Sequence, residues 1–133
     1  ESLLTKAGYL GEHFYLDSSF SVINKYGSSI PFSARLSDFE PLDVCQRLEG
    51  SNLINWVWID TFHNLPISKS AVEYFVSSGT KTCLTSPDLL GRPEDIIPYF
   101  KKMNELKFMP TAICCKQKKI KIWEELYSRN FIS

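Results

Sequence analysis

The sequence predicts an α/β fold, with five consecutive strand–helix units building a parallel sheet in one domain of 133 residues. Three observations predict it. Short runs rich in branched and aromatic residues alternate with longer amphipathic segments. The third and fifth runs, 54–60 (INWVWID) and 111–115 (TAICC), are nearly continuously apolar, as strands covered on both faces are. Glycine, proline and capping residues fall mostly at the joints between runs and segments.

Taken in order, the predicted strands are 13–17 (HFYLD), 31–36 (PFSARL), 54–60, 81–85 (KTCLT) and 111–115. The first helix, 19–26, ends at Gly27, expected to act as a left-handed C′ glycine. The second, 41–48, opens on Pro41 and stops at Gly50. In the third, Ser70 and Glu73 have capping-box spacing, and 71–76 continues to Gly79. The fourth, 93–106, places Glu94 and Asp95 where they complement the positive end of the helix dipole. Pro98 is expected to kink that helix or mark a 3₁₀ start. The fifth, 122–131, carries Ile122, Trp123, Leu126 and Tyr127 as a helical stripe. Right-handed crossovers then leave two architectures. One is a five-stranded doubly wound parallel sheet. The other is part of a (β/α)₈ barrel, which normally needs about 250 residues. Composition does not choose between them.

Fifteen basic and 15 acidic side chains cancel, which argues against a generic nucleic-acid binder. No stretch approaches the roughly 18–20 apolar residues that a membrane span needs. The charge is nevertheless uneven: residues 1–66 hold four basic and eight acidic groups, and residues 67–133 hold eleven and seven. Lys116, Lys118, Lys119 and Lys121 supply much of the second half's surplus, either as an anion site or as a solvated loop and helix start. Cys45, Cys83, Cys114 and Cys115 lack CxxC spacing and a His-rich partner segment, which argues against zinc. Each lies in an apolar run and is expected to be a buried, reduced thiol in a cytoplasmic protein. The chain opens at Glu1 without methionine, which suggests a processed form or a fragment.

In either architecture, ligands gather at the C-terminal ends of the strands. There Arg35, Asp38 and Glu40 bring a cation and two acids to one strand end, and Asp60 closes an otherwise apolar strand. Such carboxylates can bind a divalent cation or act as acid and base, and Arg92 offers a forked donor for phosphate. The plainer expectation is that these charges pair with one another, with Asp17 or Glu40 capping a helix. His63 follows Asp60 but reads as a loop residue, and His13 opens a strand at the wrong end for a site. There is no G-x-S-x-G elbow and no Gly-rich phosphate cradle.

The succession LDSSFS, ARLSDFE, WVWIDTF, CLTSPDLLGR and AICC…W resembles the C-terminal half of glycerophosphodiester phosphodiesterase-like proteins. These belong to the barrel superfamily that includes the phosphatidylinositol-specific phospholipases C. The resemblance covers nearly the whole chain and rests on the order of weak motifs. Ser19-Phe20 matches a strand-end Ser-Phe pair, and Ser37-Asp38-Phe39-Glu40 matches an acidic strand end. Trp56–Asp60 matches a W-V-W-V-D strand, and Ser86–Arg92 an S-P-E-L-x-G-R loop.

The resemblance implies five units of a (β/α)₈ barrel and hydrolysis of a small phosphodiester. It also implies two catalytic histidines and a divalent cation, magnesium or calcium, held by carboxylates. The family's His-Arg, Glu-x-Asp and later His-Asp residues are absent from this sequence, and its final acidic strand end becomes Cys115-Lys116. The chain alone is therefore expected to be inactive and to need no metal. Ser19, Arg35, Asp38, Glu40, Asp60, Ser86, Asp88 and Arg92 carry over as substrate-pocket residues, with no catalyst among them. Open sheet edges would permit a homo-oligomer. The alternative is a non-catalytic α/β domain that binds a ligand or partner.

Overall fold

A computed structural model describes residues 7–8 and 11–130 of the chain. The fold is α/β and, among the described residues, has four parallel strands: β1 (Phe32–Leu36), β2 (Ile54–Ile59), β3 (Lys81–Thr85) and β4 (Ala112–Cys114). They lie side by side in chain order, without a reversal. The described helices are α1 (Phe20–Tyr26), α2 (Leu42–Gly50), α3 (Lys69–Ser78), α4 (Ile96–Glu105) and α5 (Ile120–Asn130). Short 3₁₀ turns at Pro87–Leu90, Pro93–Asp95 and Gln117–Lys119 lead out of β3, into α4 and into α5. The last predicted helical residue, Phe131, lies outside the described residues.

Alternation along the strands gives the sheet two unlike faces. Ala34 and Leu36 of β1, Val57 and Ile59 of β2, and Leu84 of β3 point into one core. Ile23, Cys45, Leu48, Ala71, Phe75, Phe100 and Trp123 enter the same core from the five helices. Val57, Ile59 and Leu84 are wholly buried, each contributing about 1.5–3 kcal/mol of hydrophobic stabilisation. The opposite face begins with the register row Arg35, Trp58, Cys83 and Ala112. Part of that face is covered by the chain before α1. Phe14 stacks on Trp56 with centroids 4.7 Å apart, and Glu12 accepts from Trp56 Nε1 at 3.3 Å and pairs with Lys81.

Several expectations need correction. The predicted strand 13–17 shrinks to one parallel bridge, Tyr15 to Phe32, held by Tyr15 N–H to Pro31 O at 2.7 Å and Ser33 N–H to Tyr15 O at 3.0 Å. The apolar fifth run is not covered on both faces: Ala112 and Ile113 are half-buried and Cys114 is exposed, because β4 forms the edge of the described sheet. Gly27 is right-handed, at φ −62°, and not the left-handed cap its position suggested. A Cβ there would stand 2.6 Å from both Ile23 O and Leu53 O, so close approach of backbones is what requires glycine. Gly50 is the last residue of α2, as expected, and the left-handed conformation falls two residues later, at Asn52. Ser68, not Ser70, caps α3 by accepting from Ala71 N–H at 3.2 Å, while Gly79 supplies the expected left-handed end at φ 68°. Pro98 sits in the first turn of α4, where the N–H it lacks would have no helical acceptor.

Candidate functional site

Parallel pairing brings the C-terminal ends of β1 to β4 to one end of the sheet, where the chain turns towards each following helix. Arg35 is the hub of that end. It points away from the helical core because its neighbours Ala34 and Leu36 point into it. Its guanidinium pairs with Asp17 and approaches Glu40 Oε1 at 3.5 Å and Asp60 Oδ2 at 3.7 Å. It also lies 5.6 Å from the ring centroid of Phe62. Three carboxylates thus face one cation. Asp17 reaches the hub from a left-handed backbone, φ 56°, a conformation that Asp tolerates better than most residues.

Asp60 is the most constrained of the three. Its side chain is 9 % exposed, and Oδ2 accepts from Trp58 Nε1 at 3.2 Å. Its Oδ1 is buried and accepts no hydrogen bond among the described residues; the same holds for Thr85 Oγ1, at the end of neighbouring β3. Two polar atoms in that state are costly unless a ligand or solvent satisfies them. Glu40 is held from the other side by the Ser37 hydroxyl, whose Oγ also accepts from Glu40 N–H and Phe39 N–H, both at 3.1 Å.

The other sequence-chosen residues divide among separate roles. Asp38 stands apart from the hub and lies 3.3 Å from His63 Nδ1, with Phe39 edge-on to the imidazole at 5.6 Å. His63 is an exposed loop residue, as expected. Ser19 is the N-cap of α1, accepting from Val22 N–H at 3.4 Å. Ser86 and Asp88 are buried in a bracket behind the strand ends. Ser86 Oγ accepts from Trp123 Nε1 at 2.9 Å and donates to Asp88, whose other oxygen accepts from Lys116 N–H at 3.0 Å. Arg92 donates to the carbonyls of Thr61 and of His63, the latter at 2.7 Å, clamping the loop after β2. The structure therefore brings Arg35, Glu40 and Asp60 together and places Ser19, Asp38, Ser86, Asp88 and Arg92 elsewhere.

Sequence reasoning missed the part played by Asp17, Trp58, Phe39 and Thr85. Asp17 had been weighed only as a cap; its position at the first strand end was the available signal. Trp58 was hidden inside an apolar run, and only the register with Arg35 reveals its face.

The cysteines also need correction. Cys45 and Cys83 are buried as expected, and burial pushes their thiols up to about 12 and about 11 respectively. Cys114 is exposed and Cys115 half-buried, because both lie at the end of the edge strand. Lys116 and Lys118 are exposed around the turn that follows, and Lys121 is exposed at the start of α5.

The donor set does not fit the divalent cation that the family resemblance implies. Asp17, Glu40 and Asp60 each turn an oxygen towards Arg35. Among the described residues no group of three His, Cys, Asp or Glu side chains is arranged to hold a metal. No described helix is long and apolar enough to cross a membrane. In comparison with known proteins, no family model, no curated protein and no solved structure matches the chain.

Proposed function

We propose that this chain forms consecutive βα units of a phosphodiesterase-type (β/α)₈ barrel and that its strand ends line the pocket for a small phosphodiester. The observation that carries the reading is the sheet itself. Its strands run in chain order, and the five described helices pack on one face, as in a sector of a barrel wall. One wing of a doubly wound sheet shares the strand order, but such a sheet carries helices on both faces. The Arg35 hub then stands at the mouth, where barrel enzymes hold their substrates.

The chain's own residues would orient substrate and carry no proton transfer. Arg35 is immobilised by three carboxylates, and Asp60 is fixed by the Trp58 indole. The family's acid–base histidines and metal carboxylates have no counterparts in this sequence, so cleavage is assigned to residues outside it. The test is hydrolysis of glycerophosphodiesters with magnesium or calcium. The 133-residue chain should show no turnover above the blank. Joined to a preceding segment carrying His-Arg and Glu-x-Asp, it should gain metal-dependent turnover. Full activity from the chain by itself would refute the assignment.

A further inference from the structure

Among the described residues the sheet is open at both edges. Strand β4 pairs with β3 alone, and β1 is bonded on its outer side only through the single Tyr15 bridge. Apolar surface lies at each edge. Next to β4 a groove of about 490 Å³ runs along α5, lined by Met109, Ile113, Ile120, Trp123 and Tyr127. Met109 is 61 % exposed and Ile120 44 %. On the side of β1, helix α1 leaves Phe20, Val22 and Tyr26 between 40 and 64 % exposed, and Val22 and Tyr26 share one helix face. The chain's accessible surface is 8283 Å². A compact monomer of 15.3 kDa exposes roughly 7,150 Å², which leaves an excess of about 1,100 Å². Each partner in a standard protein interface buries about 800 Å², so the excess is enough for a stable contact.

We propose that a second copy of this chain covers these edges head to tail, the β4–α5 edge of each copy receiving the β1–α1 edge of the other. Strand direction favours that arrangement. A β4 edge that meets a β1 edge continues the parallel sheet and keeps the helices in one layer, whereas two β4 edges related by a two-fold axis would run antiparallel. Charge favours it too. Residues 1–66 hold four basic and eight acidic groups, and residues 67–133 hold eleven and seven. Head-to-tail contact joins these unlike halves, and a β4-to-β4 contact would join two basic ones, with Lys116, Lys118 and Lys121 exposed close by. Four strands are half of the roughly eight that close a barrel, so two such contacts about one axis close the assembly, with the segment around Tyr15 at each seam. No edge is then left for further growth. The inference rests on reading the sheet as a sector of a barrel wall and is independent of phosphodiester chemistry.

The experiment is sedimentation velocity, with light scattering for mass, on the 133-residue chain at micromolar concentration. The expected species has twice the 15.3 kDa mass of one chain and weakens as salt is added. Met109→Lys at the β4 edge and Val22→Asp at the β1 edge should each weaken association about tenfold or more. Neither should change the far-ultraviolet circular dichroism, because both side chains are exposed and an acid in the first turn of α1 suits the helix dipole. Mixed in equal amounts, the two variants should regain the dimer, since one contact is then intact and the other sets lysine against aspartate. A monomer at every concentration, a mass that keeps growing beyond the dimer, a dimer indifferent to Val22→Asp, or no recovery on mixing would overturn the proposal. The two readings fail separately. A monomeric chain whose joined form cleaves glycerophosphodiesters would sink only the dimer. A dimeric chain whose joined form stays inactive would sink only the phosphodiesterase reading.

Discussion

Gly27 shows how much one hydrogen atom can decide. Any Cβ at that position would press on the carbonyls of Ile23 and Leu53 at 2.6 Å, and both belong to backbone that packing holds in place. Gly27→Ala should therefore cost about 1–3 kcal/mol in urea unfolding. Gly50→Ala is the contrast: a Cβ there meets nothing within 4 Å, at the last residue of α2, and should add up to about 1 kcal/mol. The thiols give a second prediction at this scale. Burial raises Cys45 to about 12 and Cys83 to about 11, so folding favours their neutral forms. Their contribution to stability is intact below the ordinary thiol range near 8.5 and is lost as pH rises towards 11–12. The melting temperature should thus fall progressively above about pH 9. Burial also raises the Cys114 and Cys115 thiols, so in the native state at pH 8 a disulfide exchange reagent should titrate them slowly but ahead of the buried pair, which should react only on unfolding.

The third helix illustrates what an element discloses and what it hides. Ser68→Ala should cost about 1 kcal/mol, because Ser68 Oγ is the acceptor for Ala71 N–H, whereas Ser70→Ala should fall within a few tenths. The spacing of Ser70 and Glu73 matched the capping pattern, yet the helix begins one residue before Ser70, so the pattern alone could not locate the true cap. Strands and helices were legible in their existence and order because hydrophobic periodicity reflects burial directly. Which end of a motif is used depends on where the preceding loop delivers the chain. The first strand was misread for a similar reason. Its aromatic residues are half-buried as a cover, with Phe14 on Trp56 and Tyr15 against Phe32, and that placement calls for the same residue types as a strand. At the site, Arg35, Glu40 and Asp60 were readable because each charge interrupts or ends an apolar run. The separate duties of Ser86, Asp88 and Arg92 were not, since partners such as Lys116 and His63 lie 28 and 29 positions away in sequence.

At the scale of the whole molecule, the order of the strands matters more than their number. Helices on one face leave the other to be shielded by different means, and the bracket of Ser86, Asp88 and Trp123 locks the far end of that arrangement. Asp88→Ala should cost about 2–4 kcal/mol, because it leaves the Lys116 amide and the Ser86 hydroxyl unsatisfied together. Thermal unfolding should show the loss as one cooperative shift and not as a separate early transition. On the near side the shield, among the described residues, is the short stretch ahead of α1. Phe14 and Glu12 cover Trp56 through one ring stack, one indole hydrogen bond and one ion pair with Lys81. A protease that nicked this strap would bare the indole to water while sparing the helices. The cut would be visible as a red-shifted tryptophan emission with an unchanged far-ultraviolet circular dichroism spectrum.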